Sequence, residues 1–284
     1  MGSVPPVRTE RRGLVGWLAD AVRPKAAAKS RKLRNGGPKP LIDPKGRFVV
    51  YWSPKSACTT TLIWFLHVSG FGEEARAHSS WPHRYRLEVY NRSEAFHRAL
   101  AAGFKGMRRI RVIRDPFDRA VSSFRHAIGT GYADPKISAF LGRRLRKDGK
   151  FSFREFLDFL ESEKIDKANT HHRQQLQPIE RDFPPTDVIN ITRQDLFTEL
   201  NRIEREMGLP ATDFPALAWL HATESPRRPF VASPGQEPYE MAMSRRSGLG
   251  EEPWPPTAEL LTDEARRRLA VIYRADLEAY SAYL

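Results

Sequence analysis

The sequence predicts an α/β fold with a central, mainly parallel sheet flanked by helices. The prediction rests on apolar, β-branched runs at "RFVVYWS", "RRIRVIRD" and "DVINIT", each followed by a helical pattern of apolar residues. Strand–helix units spread along one chain are the signature of parallel pairing through crossovers. Size agrees, because 284 residues, 40% of them hydrophobic, suffice for one large core with extensions.

The first strand, Phe48–Ser53, is entered from "DPKG" and ended by Pro54. From Thr60 onward Leu62, Trp64, Phe65 and Leu66 give a helix a broad apolar face, and Gly70 stops it. A second strand centres on Ile110–Arg114. Its helix, "PFDRAVSSFRHAIG", has proline in the first turn and Gly129 at the end. Arg109 and Arg111 alternate with Ile110 and Val112, which predicts that both arginines point away from the core. In "FSFREFLDFLES", Phe153, Phe156, Leu157 and Leu160 share one face, a core-packing pattern. The third strand precedes a helix with Asp195 as N-cap and Gly208 as its stop. Residues 225–256 are rich in proline and read as an irregular segment, whose Arg245 and Arg246 suit an anionic partner. At the end of the chain Leu269, Ile272, Tyr273, Leu277 and Tyr280 recur at helical spacing, predicting a last helix docked on the sheet.

A formal charge of +13 suggests a nucleic-acid binder until its distribution is examined. Residues 1–47 hold 12 of the 47 Lys and Arg side chains but only 3 of the 34 acids. The excess thus belongs to a basic leader, residues 1–45, read as flexible and solvated; residues 46–284 form a single, mildly basic domain. The leader suits weak, salt-sensitive contact with an acidic surface or polymer, and nucleic acid is not expected as a partner. Cys58 is the only cysteine, so no intrachain disulfide forms. No apolar run has the length of a membrane span, and the N-terminal sequence lacks a signal-peptide pattern. A cytoplasmic, bacterial-type soluble enzyme is the resulting expectation. No His, Cys or carboxylate cluster has ligand spacing, so no metal is expected.

Ligands of parallel sheets collect at the carboxyl ends of the strands. There the first unit carries "SPKSACTTT", which combines the N–H groups of a helix start with the hydroxyls of Ser53, Ser56, Thr59, Thr60 and Thr61 and the ammonium of Lys55. That combination suits a phosphate-like anion. Cys58 reads as a small packing residue rather than a nucleophile. After the second strand, "RDPFDRAVSS" offers the planar fork of Arg114 and the hydroxyl of Ser122 to a second anion. The nucleotide-triphosphate loop GxxxxGK[ST] is not present: both glycines are missing and the lysine precedes the hydroxyl run.

The "PKSACTT" stretch resembles the 5′-phosphosulfate loop of sulfotransferases that use 3′-phosphoadenosine 5′-phosphosulfate (PAPS). It is closest in form to the PKxACT variant of the carbohydrate, sulfotransferase family 2-like group. A second motif of that family, RxPxxRxxSxxR, is matched by Arg114, Pro116, Arg119, Ser122 and Arg125. Weaker likenesses follow: "THHRQQLQP" to HxxxQ, "HATESPRRP" to HxNxS with Thr223 in place of asparagine, and Tyr273 and Asp276 to a terminal Tyr-x-x-Asp. The resemblance implies a P-loop NTPase-like fold. It also implies that Pro54, Lys55, Ser56, Ala57, Cys58, Thr59 and Thr60 bind the phosphosulfate end, and that Arg114 and Ser122 bind the 3′-phosphate. The implied reaction is in-line transfer of a sulfuryl group to a hydroxyl of a carbohydrate or glycoconjugate, leaving 3′-phosphoadenosine 5′-phosphate (PAP) and needing no metal.

Such a transfer depends on positioning and charge stabilisation, and Lys55 is placed to neutralise the leaving phosphate. A histidine suits the role of base near neutral pH. His78, in "ARAHSSWPHRY", is the first candidate, with His83 and His67 as alternatives; His171 and His172 fit binding or holding the sheet as well as catalysis. A nucleotide-dependent kinase is the competing enzyme reading, at odds with the missing glycines. A polyanion-binding protein acting through the leader is the competing non-enzymatic one, and it leaves both motifs unexplained.

Overall fold

A computed structural model of the chain describes residues 37–145, 149–217, 237–245 and 253–284. In chain order its elements are β1 (Leu41–Ile42), β2 (Phe48–Tyr51), α1 (Cys58–Val68), α2 (Gly72–His78), α3 (Pro82–Glu88), α4 (Glu94–Ala102), β3 (Arg108–Ile113), α5 (Pro116–Thr130) and α6 (Asp134–Leu141). There follow α7 (Phe153–Ser162), α8 (Ile179–Asp182), β4 (Asp187–Asn190), α9 (Leu196–Glu206), α10 (Thr257–Leu260), α11 (Asp263–Ile272) and α12 (Arg274–Ala279). The strands form one sheet in the order β1-β2-β3-β4. β2, β3 and β4 run parallel, with Val50 opposite Ile110 and Val112 opposite Ile189, while β1 pairs antiparallel to β2. The mixed α/β architecture read from the sequence is therefore present, with helices flanking a central sheet. No helix among the described residues is long and apolar enough to cross a membrane.

Why these residues build the sheet is visible in their burial. Phe48, Val49, Val50 and Tyr51 are all fully buried, so β2 is covered on both faces, as a parallel strand requires. The core of the sheet joins these residues to Leu62, Phe65 and Leu66 of α1 and to Leu200 and Ile203 of α9. Trp64 Nε1 donates to Glu204 Oε1 at 2.8 Å, and Thr212 N donates to Glu204 Oε2 at 2.8 Å, so the one carboxylate buried between α1 and α9 has partners on both oxygens. A second core lies among helices: Phe124 of α5, Phe153, Phe156 and Leu160 of α7, and Leu269 of α11.

Several expectations need correction. β1 lies inside the stretch read as leader, and Leu41 and Ile42 are buried against β2, so the folded domain begins before residue 46. Residues 1–36 lie outside the described residues. Arg111 does not point away from the core. It is 0% exposed, donating to Tyr280 Oη at 3.0 Å and Ser53 Oγ at 2.9 Å, with Glu180 at 3.5 Å. Alternation assigns a face, and here that face is covered by the end of the chain. α5 runs past Gly129 to Gly131, whose φ of 66° supplies the left-handed cap. The last helix is two, α11 and α12, and α11 packs on α5 and α7; the sheet is reached by Tyr280. Within 225–256 only residues 237–245 and 253–256 are described. There Met243 bridges Phe151, and Arg245 is paired with Asp134 and not with an open site.

Asp276, just beyond Tyr273, holds the chain segment that crosses beneath the strand ends. Both of its oxygens accept backbone N–H groups, from Gln175 and Leu176, each at 2.8 Å, and the side chain is fully buried. Burial pushes its carboxyl up from the ordinary value, and the two amides with the Arg119 and Arg111 charges oppose that push. In Asp276→Asn a side-chain NH2 faces one of those N–H donors, leaving a buried donor unpaired. Urea unfolding should show a loss of about 2–3 kcal/mol; an unchanged midpoint would mean the clamp contributes nothing.

Candidate active site

Between β2 and α1 the chain makes a turn that no glycine assists. Lys55 and Ala57 both adopt left-handed conformations, at φ 70° and 52°. Ala57 is the N-cap of α1, and its side chain cannot cap the helix. Among the described residues the N–H groups of Ala57, Cys58, Thr59 and Thr60 have no acceptor, and α1 has no acidic residue in its first turn. Successive left-handed and right-handed residues turn amide groups inward into a concavity, and the helix dipole adds positive potential there. A helix start with free amides and this potential is chemically suited to an anion.

The second strand end is tied to this loop by Gln175. Its Oε1 accepts from Ser56 Oγ at 2.8 Å and from Arg114 N at 3.0 Å, while Nε2 donates to Arg114 O at 2.8 Å. One buried amide thus fixes the spacing of the two motif loops. Arg119 completes the frame: it is 1% exposed, and Nε donates to Pro54 O at 3.0 Å and Nη1 to Arg173 O at 2.7 Å. Arg125 donates to Pro255 O at 2.7 Å and lies over Trp254. Of the arginines in RxPxxRxxSxxR, therefore, Arg119 and Arg125 hold backbone, and Arg114 stands half-buried at the strand end. Ser122 is half-buried, and its hydroxyl makes no hydrogen bond among the described residues. Thr61 is buried and faces the interior.

Lys55 sits where cations crowd. Burial lowers its pKa below the ordinary lysine value; Cys58 opposes the shift, and Arg114 and Arg119 add to it. His126 and His171 both sense Lys55. Each is lowered to about 4, first by burial and then by the Lys55 ammonium. Their rings lie 4.5 Å apart, and Tyr132 lies 4.6 Å from His171. His126 is one turn beyond Ser122 on α5, and that i, i+4 spacing was the signal in the sequence that could have found it. Gln175 is the glutamine of the HxxxQ likeness counted from His171, whereas Asn169 had no such signal.

The histidines singled out in the sequence fall in different places. His78 is exposed at the end of α2, with Nε2 3.0 Å from Glu88 Oε2, and none of its contacts is with the loop. His67 is exposed in the last turn of α1, about 13 Å along the helix from its start. His83 does reach the loop: Nε2 is 3.2 Å from Thr59 Oγ1, and Arg86 Nε is 3.3 Å from Nδ1. Arg86 can only donate, so Nδ1 accepts and the proton of the neutral ring sits on Nε2, directed at Thr59. Burial, Arg86 and His171 lower His83 to about 4. His172 is buried, with Nδ1 3.0 Å from Tyr132 Oη, and Tyr273 Oη donates to its carbonyl at 2.8 Å.

The family model that matches this chain is that of the sulfotransferase family, over residues 39–283. Searches of curated proteins and of solved structures return no match.

The left-handed turn at Ala57 generates a direct test. Ala57→Gly removes the Cβ penalty of that conformation and should leave stability unchanged or raise it by up to about 1 kcal/mol in urea unfolding. Ala57→Val places a β-branched residue there and should cost about 2 kcal/mol. Equal stability of the two variants would show that the turn is not held as described.

Proposed function

The chain belongs to the sulfotransferase family, and from that premise we propose that it moves the sulfuryl group of PAPS to a hydroxyl of a carbohydrate or glycoconjugate. The observation that carries the cofactor assignment is the Gln175 bridge. It holds the uncapped start of α1 and the Arg114–Ser122 end of β3 in one frame, as a ligand with separated anionic groups needs. On this reading the fold is a P-loop-like variant in which Lys55 and a turn without glycine replace the glycine-rich loop. Amides 57–60, Thr59, Thr60 and Lys55 hold the 5′ end, and Arg114 and Ser122 hold the 3′-phosphate. Lys55, partly desolvated, is strongest as a charge partner where negative charge grows on the leaving phosphate. The carbohydrate acceptor is supported by the PKxACT form of the loop.

Calorimetric titration with PAP against ATP tests the reading. PAP should bind well and ATP weakly. Lys55→Ala should lose PAP affinity by about 100-fold, and Ser122→Ala by about 5-fold, as expected for charged and neutral hydrogen bonds. Removal of residues 1–36 should leave PAP binding intact; loss on that deletion, or a preference for ATP, would return a polyanion-binding or kinase reading. The pH dependence has a definite sign. Lys55 must be protonated to hold an anion, so PAP affinity should fall as pH rises through the lowered pKa of Lys55, before the ordinary lysine value of 10.5 is reached.

A further inference from the structure

We propose that His171 is the general base that accepts the proton of the acceptor hydroxyl; the assignment rests on the sulfuryl-transfer reading above. Its ring is fixed on every side but one. Asn169 Oδ1 lies 3.0 Å from the His171 backbone N and 2.9 Å from Nδ1. A backbone N–H can only donate, so the Asn169 atom is the carbonyl oxygen, and Nδ1 must donate to it as well. The neutral ring therefore carries its proton on Nδ1 and presents the lone pair of Nε2. Among the described residues Nε2 has no partner. The His171 carbonyl is held by Ser123 Oγ at 2.5 Å and by Arg119 Nη2 at 3.4 Å, and the ring packs against His126 and Tyr132.

Position agrees with the role. His126 and Tyr132 pack on this ring, and Arg119 joins the segment to the loop by donating to both Pro54 O and His171 O; Lys55, His83 and His172 are the other titratable groups whose charge is felt here. Four residues later on the same segment stands Gln175, which sets the two motif loops. The ring that offers a lone pair is thus registered against the site that would hold PAPS. His83 has both nitrogens engaged, His78 directs Nε2 at Glu88 on the surface, His67 is at the far end of α1, and His172, whose Nε2 also lacks a hydrogen bond among the described residues, is 1% exposed and closed to an acceptor. Among the described residues His126 has no side-chain hydrogen bond that fixes its tautomer.

The step balances without a further reactant. An acceptor oxygen forms its bond to sulfur as the bond from sulfur to the 5′-phosphate oxygen breaks, and that electron pair stays on the phosphate of PAP. The hydroxyl proton passes to His171 Nε2, giving an imidazolium, which returns the proton to water after release.

Nitrogen-15 NMR of the histidines in the wild-type protein, with and without PAP, needs no acceptor. At pH 7 His171 should show a protonated Nδ1 and an unprotonated Nε2, and PAP should raise its titration by at least one pH unit as the charge of Lys55 is neutralised. His171→Ala and His126→Ala should each bind PAP within about 3-fold of wild type. PAPS turnover with methyl glycosides should fall 100-fold or more in His171→Ala and recover in part with added imidazole. Its rise with pH through the His171 titration should disappear in that variant. Asn169→Ala, which frees the tautomer, should slow turnover about 10-fold at unchanged PAP affinity. A proton on Nε2 at pH 7, a titration indifferent to PAP, or undiminished turnover in His171→Ala would overturn the assignment while PAP binding stands. Failure of the wild-type protein to bind PAP would instead remove the sulfotransferase reading, and the assignment with it.

Discussion

The Asp276 carboxyl group is the point on which the rest of the site depends. Its two oxygens hold consecutive backbone amides, those of Gln175 and Leu176, and from that fixed backbone the Gln175 side chain reaches both motif loops. Buried arginines stand on either side. Arg111 ties Tyr280 and Ser53 together, and Arg119 ties Pro54 to the chain at 170–173. Desolvating so many charges is costly, and apolar replacements of similar shape are often no less stable. What charged and amide groups supply that apolar groups cannot is directional placement. Here they set two loops, 58 residues apart in sequence, to one geometry.

A second constraint comes from the loop. Two non-glycine residues in left-handed conformations carry a conformational penalty, which persists because the frame around them is over-determined. Ser56 between them is fully buried and bonded to Gln175. The turn leaves the first amides of α1 without partners, a state that a serine or aspartate at the N-cap would have prevented. Compare α5, α7 and α9, where Asp115, Ser152 and Asp195 each cap their own helix. Several short helices also lack a side-chain cap, but α1 is an eleven-residue helix whose uncapped start follows two left-handed residues, Lys55 and Ala57, and on the proposed reading its open end receives an anion.

Much of this was legible because short-range rules govern it. β-branched runs gave the strands, Asp195 and the proline of "DPFDRA" gave helix starts, and the two motifs gave the loops. The parts that were not legible depend on long-range placement. Arg111 alternates with apolar neighbours like any solvent-facing arginine, and only the return of Tyr280 and Glu180 makes its side of the strand an interior. Gln175 is the glutamine of the HxxxQ likeness counted from His171, but nothing local says which groups its side chain reaches. The histidines were unresolved for the same reason. His78 ends α2, His83 lies in α3 and His171 stands in irregular chain, and their difference lies in what meets each ring: Glu88, Arg86 with Thr59, or Asn169. β1 was read as leader because two apolar residues between prolines make too short a pattern to register, although their pairing with β2 is unambiguous in space.

The electrostatics of the site link the two halves of the proposed reaction. Lys55, Arg114 and Arg119 meet at one place, and each depresses the protonation of a neighbour: Lys55 itself, His126 and His171. A histidine held near 4 is a reliable acceptor of protons only in the sense that it is always neutral; its affinity for the proton is low. Adding the negative charge of a phosphosulfate to the same cluster reverses the largest of the charge effects on it. The ring then becomes the stronger base at the moment the group to be transferred is in place. On the proposed reading an acceptor hydroxyl that arrives after the nucleotide meets a stronger base than one that arrives alone. The donor and the base are therefore coupled on that reading with no moving part required: burial keeps the ring weakly basic, Lys55 adds to that, and a donor held by Lys55 relieves the second contribution.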